Sequence, residues 1–394
     1  MSHQTGPVAH STSPLTGDAA AWRDAYNILA VRLDNLGDVL MTTPAIAALK
    51  CRAGRQVTLL ASPAGAALRN HLPAIDDVLV YDAPWVKGRM RSGAADRRFL
   101  GKLAAGRFDA AVIFTVCTQS ALPAALFCRM AGIPLRLAYA RENPYGLLTD
   151  WVPETDAVES GMRHEVLRQI DLVRSIGCDA RDLGLSFQCH SADERGAERK
   201  LDEAGGNHRV PYLVLHPGST AASRRYPPER FARAAQLIAE QTGMQIVFSG
   251  GAEDRAAVMA AQSAMAMPSV SLAGALTLGE LAALIRGAHL LVCNNSGPAH
   301  LAAAVQTPVV VLYALTNPQH TPWQVPSVVL NHDVPCRHCQ KSVCPEGHHA
   351  CLLGVEPEKV AAEAIMLMRR TSALPSVAGT FVRTQQQVPH GIAG

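Results

Sequence analysis

At 394 residues, 48% apolar and 18% charged, the chain is too long for one ordinary core and too apolar to be disordered along most of its length. A formal net charge of +3 excludes the strongly basic balance of a bulk nucleic-acid binder. Its apolar runs are of strand length, far short of the roughly 20 residues that cross a bilayer, so none reads as a membrane span.

Residues 1–25 lack a basic segment followed by an apolar core. They read as a disordered leader, not a secretory signal, and a cytosolic protein is expected. "YNILAVRLDNLGDVLMTTPAIAALKCR" then predicts a strand over 28–33, a turn over 34–37 and a helix over 38–50. "QVTLLAS" is a strand, a helix follows near 64–72, and "DVLVYD" is a strand. The stretch 85–107 carries Lys87, Arg89, Arg91, Arg97, Arg98, Lys102 and Arg107 against the single Asp96. It is either a solvated loop and helix face or a clamp for an anionic substrate. "FDAAVIFTV" and "IPLRLAYA" are apolar enough for a parallel sheet buried on both faces. A long amphipathic helix is predicted over 162–180, and a polar region over 187–210 marks the domain boundary.

The alternation then restarts. "PYLVLHPGSTAASRRYPPERFARAAQ" is strand, loop and helix, with Pro227 and Pro228 opening the helix. "MQIVFSGGAEDRAAVMAA" repeats the pattern. "LTLGELAALIRGA" is a helix behind a Thr277 cap, with Glu280 placed for a capping box. "HLLVCNN" and "TPVVVLYA" are strands, and 356–370 is a last helix. The fold class is α/β: two doubly wound Rossmann-like domains facing a cleft. The predicted parts are a first Rossmann-like domain over 26–187, a linker over 188–210 and a second Rossmann-like domain over 211–355. A Cys-rich segment over 335–352, a C-terminal helix over 356–371 and a disordered tail over 372–394 complete the chain.

The strand ends carry the chemistry. Asn294 to Gly297 lie between a strand and a helix opened by Pro298, where free N–H groups and the helix dipole favour an anion. Ser296 adds a hydroxyl, Gly297 allows close approach, and His300 lies in the first turn. An ordinary Asn/Ser cap is the plainer alternative. A second loop, "HPGSTAASRRYP", offers Gly218, Ser219 and Thr220 for hydrogen bonding and Arg224 and Arg225 for charge. Two such loops at one sheet edge look like a diphosphate site. "FSGGAEDR" places Glu253 and Asp254 to reach a ribose or a base, without the G-x-G-x-x-G of a dinucleotide fold. In the first half, Asp34 and Asp38 flank Gly37, and Asp38 is either a first-turn acid or a general base facing the cleft.

Together, "RLDNLGDVLMTTPAIAALK", "HPGS…RRYPPERFARAA", "GGAED" and "CNNSGPAHLAAA" resemble glycosyltransferase family 9, the heptosyltransferases, over about 28–370. The resemblance implies the GT-B fold. It also implies inverting, metal-independent transfer of a sugar, typically heptose from ADP-heptose, to a lipid-linked lipopolysaccharide core acceptor. Contact with the inner face of the inner membrane would then be peripheral, and no nucleic-acid partner is expected. Carried over by motif, Asp38 would deprotonate the acceptor hydroxyl, and Glu253 would contact the adenosine. Ser296, Gly297 and His300 would hold the diphosphate. Arg224 stands where the family usually has a Lys, and Asn295 where it often has Asp, so a sugar contact there would be uncharged. Arg89, Arg91, Arg97 and Arg98 become candidates for holding an anionic acceptor. The alternatives are transfer from another nucleotide sugar, or a nucleotide-sugar epimerase on the same fold.

Of ten cysteines, six are scattered in apolar contexts and four cluster as Cys336-x2-Cys339-x4-Cys344-x6-Cys351 with His338, His348 and His349 nearby. A closed four-thiolate site would be structural, with zinc the candidate; reduced thiols packed in a loop, or disulfides, are the alternatives. The resemblance implies that the final helix after this segment crosses back toward the first domain.

Overall fold

The computed structural model describes residues 19–87, 92–159 and 161–372. Both halves are built on six parallel strands. The first sheet uses β1 (Asn27–Arg32), β2 (Gln56–Ala61), β3 (Asp77–Val80), β4 (Ala110–Ile113), β5 (Leu135–Ala140) and β6 (Asp150–Pro153), in the order β3-β2-β1-β4-β5-β6. The second uses β7 (Tyr212–His216), β8 (Gln245–Phe248), β9 (Val270–Ser271), β10 (Leu290–Asn294), β11 (Val309–Leu312) and β12 (Ser327–Leu330), in the order β12-β11-β10-β7-β8-β9. Counted from each half's own first strand, the two orders are the same doubly wound one. The central strands β4, β7, β10 and β11 are buried along their whole length, as unbroken apolar runs require in a sheet covered on both faces.

Each sheet reverses its strand order beside its first strand, and the helices after the central strands start there. Helix α1 (Leu36–Leu49) follows β1, and its Pro44 removes an N–H from the helix ladder. The Thr43 hydroxyl donates to the orphaned Leu40 carbonyl at 2.7 Å, so the helix continues through the proline. Helices α2 (Gly93–Ala105) and α3 (Leu122–Met130) flank β4, and α4 (Glu165–Arg174) packs along α1. Helix α4 is shorter than its apolar pattern predicts. It starts behind His164, whose ring accepts from the Val166 N–H, and the chain has turned by Gly177 at φ 80°. The segment expected as a helix over 64–72 is a 3-10 turn, Gly65–His71.

Within 188–210 the chain forms α5 (Ser191–Glu203), which packs on the second half against α8 (Leu278–Gly287). Helices α6 (Pro228–Thr242) and α7 (Arg255–Ser263) follow β7 and β8. Thr277 and Glu280 form the expected reciprocal cap, with the Glu280 N–H 3.2 Å from Thr277 Oγ1. Helix α9 (Gly297–Ala304) follows β10 and touches α1 across the gap between the halves. The last helix, α10 (Pro357–Ser372), does not cross back. It lies on α6 because Val360, Ala361 and Ala364 are buried in the second half's core. No helix among the described residues is long and apolar enough to cross a membrane.

Candidate active site

The C-terminal edges of the two sheets face each other. On the first, Arg32 ends β1 with its side chain fully buried, 3.1 Å from Asp34, 3.6 Å from Asp38 and 2.9 Å from Glu165. Glu165 also accepts from Gln169 at 2.7 Å, and Arg168, buried on the same helix, pairs with Glu154. Burial alone would lower the Arg32 pKa; its three carboxylates raise it above the ordinary guanidinium value. The same charge splits the two aspartates. Burial would raise the Asp38 carboxyl, but Arg32 and the Asn35 N–H, 2.9 Å from its Oδ2, hold it below the usual range. Burial and the Asp38 charge push Asp34 up to about 6, against the pull of Arg32 and of a 2.6 Å bond from Gln119.

On the second edge, Asn294 ties the two predicted anion loops together. Its Nδ2 donates to the Pro217 carbonyl at 2.7 Å and its Oδ1 accepts from the Tyr226 N–H at 3.1 Å. Ser219 is buried and Thr220 exposed at the mouth of the first loop. Arg225 donates to the Ser219 carbonyl at 2.7 Å, whereas the buried Nε of Arg224 finds no partner among the described residues. Ser296 is the N-cap of α9 but makes no side-chain cap; its hydroxyl lies 3.4 Å from the Gly218 carbonyl. Pro298 has no N–H, and the Ala299 N–H donates to the Ser296 carbonyl at 3.0 Å. What the start of α9 offers an anion is therefore the Gly297 N–H and the helix dipole, with the Ser296 hydroxyl against the Gly218 carbonyl.

His300 joins the halves. A Cβ on Gly37 would lie 2.7 Å from the His300 ring, so only glycine lets α1 and α9 approach this closely. Gly37→Ala is expected to cost about 1–3 kcal/mol, as overpacking does, read from urea unfolding. A similarly tight contact places the Asp254 carboxylate where a Gly218 side chain would be.

The loop between β11 and β12 supplies a residue that sequence reasoning missed. Gln319 is buried against the first half: its carbonyl accepts from the Glu165 N–H and its amide donates to the Arg163 carbonyl. His164 binds the Thr321 carbonyl at 2.9 Å and stacks on Trp323. These contacts set His320 edge-on to His300, with ring centroids 6.5 Å apart. His300 Nδ1 and His320 Nε2 are buried and find no partner among the described residues. Burial pushes His300 down to about 3 and His320 to about 4, so both rings are neutral at pH 7.

Other predicted residues lie elsewhere. Glu253 is exposed, and its neighbour Asp254 takes the inner position, accepting from the Gly251 N–H at 2.9 Å and facing His216 at 3.9 Å. Asn295 is buried and accepts from the Ala314 N–H at 3.3 Å, which ties it to the end of β11. Arg97 and Arg98 are exposed on α2; Arg89 and Arg91 lie outside the described residues. Cys336, Cys339, Cys344 and Cys351 are free thiols that line one cavity of about 20 Å³ with His348, whose Nε2 is 3.8 Å from Cys336 Sγ. Among the described residues the group with all ligand atoms within 4.8 Å of one another is His71, His190 and Asp193, so the thiols stand wider apart than in a closed tetrahedral site. The Cys segment also buttresses the loop after β7: Ser223 donates from its N–H to the Ser342 carbonyl and from its hydroxyl to the Lys341 carbonyl, next to Arg224.

Comparison with known proteins agrees with the fold. The family described as glycosyltransferase family 9 (heptosyltransferase) matches residues 97–350. The chain is 26% identical over 359 residues to lipopolysaccharide heptosyltransferase 2 of Escherichia coli (strain K12), covering 88% of this chain and 99% of that protein. It superposes on a family 9 glycosyltransferase from Veillonella parvula DSM 2008 with a TM-score of 0.74 and 24% identity, over 88% of this chain and 98% of that one. The E. coli ADP-heptose lps heptosyltransferase II gives a TM-score of 0.69 at 22% identity, over 88% of this chain and all of that one. The fold is GT-B.

Proposed function

The chain belongs to glycosyltransferase family 9, and on that premise we propose that it moves heptose from ADP-heptose to a lipopolysaccharide core acceptor by inverting, metal-independent displacement. The observation that carries this reading is the placement of an ionised Asp38 at a cleft whose opposite wall holds Arg224 and the start of α9. The relatives' own names, one of them an ADP-heptose transferase, support the donor.

In this mechanism the acceptor hydroxyl attacks the anomeric carbon while Asp38 takes its proton. The Asn35 N–H fixes one carboxylate oxygen, and Arg32 lies nearest the other. Charge that develops on the departing ADP is met by Arg224, the Gly297 N–H and dipole of α9, and the Ser296 hydroxyl. His300 and His320 are neutral, so they offer hydrogen bonds without cancelling Asp38. Ser219 and Thr220 would line the phosphate loop, and Gly297 keeps the backbone open to it. Asp254, not only Glu253, is the carboxylate to examine for the ribose. For the cysteines, four sulfur donors are the chemistry of a structural zinc site behind the Arg224 loop. They stand too far apart here for a closed tetrahedron, so zinc would have to draw them together. Elemental analysis of the purified protein tests that assignment.

Calorimetric titration with ADP, UDP and GDP tests the donor site. ADP should bind in preference to the others, and Arg224→Ala should weaken it by about 10- to 100-fold, the worth of a charge-assisted contact. Equal affinity for all three nucleotides would remove the adenine-nucleotide donor.

A further inference from the structure

Apart from the cleft, a cluster of metal-ligand side chains stands where the two halves are joined. His71 ends the 3-10 turn Gly65–His71 of the first half, and His190 and Asp193 open α5, which packs on the second. One ligand atom of each lies within 4.8 Å of the other two. None of the three has a part in the sugar transfer proposed for the cleft. The backbone sets both rings. His71 Nδ1 is 2.9 Å from the Gln188 carbonyl, and His190 Nε2 is 2.7 Å from the Asn70 carbonyl. A carbonyl only accepts, so these nitrogens carry the ring protons, and each neutral ring keeps its lone pair on the other nitrogen. Metal-binding histidines are held in this way, by a hydrogen bond from the nitrogen opposite the ion. The Gln188 N–H also donates to the His71 carbonyl at 2.8 Å, and Phe187 stacks on the His71 ring at 4.5 Å between centroids. The two imidazole centroids are 5.5 Å apart. Two imidazoles on one tetrahedral zinc have centroids roughly 5 Å apart, from the Zn–N length and the tetrahedral angle. The Asp193 carboxylate accepts from the His190 N–H at 2.9 Å and lies against the start of α8, where a side chain on Gly279 would run into it.

We propose that His71, His190 and Asp193 bind a zinc ion that clips the linker helix to the first half. Two imidazole nitrogens and one carboxylate oxygen suit Zn²⁺; Mg²⁺ and Ca²⁺ take oxygen shells and are poorly served by imidazole. His190 is exposed, so water completes the tetrahedron. The ligands come from both sides of the junction. His71 belongs to the first half, and Asp193 is wedged between α5 and α8 of the second. The ion therefore limits how far the halves part. This site is independent of the nucleotide-sugar reading and of the Cys segment, and it holds whichever donor the cleft takes.

Calorimetric titration of the full chain with Zn²⁺, beside His190→Ala and Asp193→Asn, tests the proposal, with hydrogen exchange read by mass spectrometry on the same samples. The wild type should bind one Zn²⁺ more per chain than either variant, whose affinity at this site should fall at least roughly 100-fold. In the wild type, Zn²⁺ should slow exchange in peptides covering 65–72 and 188–195 alike, and Mg²⁺ should not. In the variants Zn²⁺ should protect neither peptide. The wild-type exchange pattern tests the site even if a variant fails to fold. Equal zinc stoichiometry in three folded proteins would overturn the proposal. So would protection confined to the Cys segment over 335–352, which would put the ion on the thiols, or equal protection by Mg²⁺.

Discussion

Asp38→Asn is expected to lower turnover by about 10²- to 10⁴-fold, the usual worth of a positioned general base. The amide keeps the shape of the carboxylate and can still accept from the Asn35 N–H. Arg32 keeps Asp34 and Glu165, so no buried charge is left without a partner. ADP affinity should therefore persist while kcat falls, and rapid-quench transfer assays beside calorimetry separate the two. The pH profile adds a second check. Asp38 is held below the ordinary carboxylate range and Asp34 is pushed up to about 6. If Asp38 is the base, the acid limb of kcat/KM lies well below pH 6. A limb near pH 6 that moves in Asp34→Asn would transfer the role to Asp34.

Acid should unfold the protein well before its carboxylates are exhausted. Burial holds His216 at about 4, His300 at about 3 and His320 at about 4, against an ordinary value near 6.5. Below pH 6.5 the unfolded chain binds protons that these native rings refuse. The stability is thus present above that pH and is lost as pH falls toward 4. Asp34 has the opposite sign: its raised value means the native state gains a proton first, which offsets part of the loss between about pH 6 and 4. Three histidines against one aspartate leave a net loss on the order of 4 kcal/mol from pH 7 to pH 5. Urea unfolding at the two pH values measures it. His300→Gln, which does not titrate, should lessen the slope by about one third of the histidine share.

The sheets were legible because parallel strands buried on both faces must be written as apolar runs, and "YLVLH" and "PVVVL" are. The turns at these two strand ends were legible because small residues followed by Pro298 or Pro228 mark a strand giving way to a helix. Less visible were residues whose role comes from the meeting of the halves. His320 sits in a loop without periodicity, and only the contacts of Gln319 and Trp323 with the first half bring it to His300. Glu253 and Asp254 are adjacent carboxylates behind two glycines, and spacing could not decide which turns inward; the 3-10 turn Ala252–Asp254 does. Arg32 did leave a signal, a cation inside the apolar run "NILAVR", where burial demands carboxylate partners. The return path of the last helix was carried by resemblance alone, and the apolar face of α10 prevailed over it.

One event is central to the proposed function, transfer from an ADP-sugar across the cleft. Purified protein, ADP-heptose and a heptose-terminated core acceptor should yield an acceptor heavier by one heptose in mass spectrometry, with ADP released in equal amount. Added Mg²⁺ or Mn²⁺ should not raise the rate. ADP release without a heavier acceptor, or transfer only from a UDP- or GDP-sugar, would contradict the account.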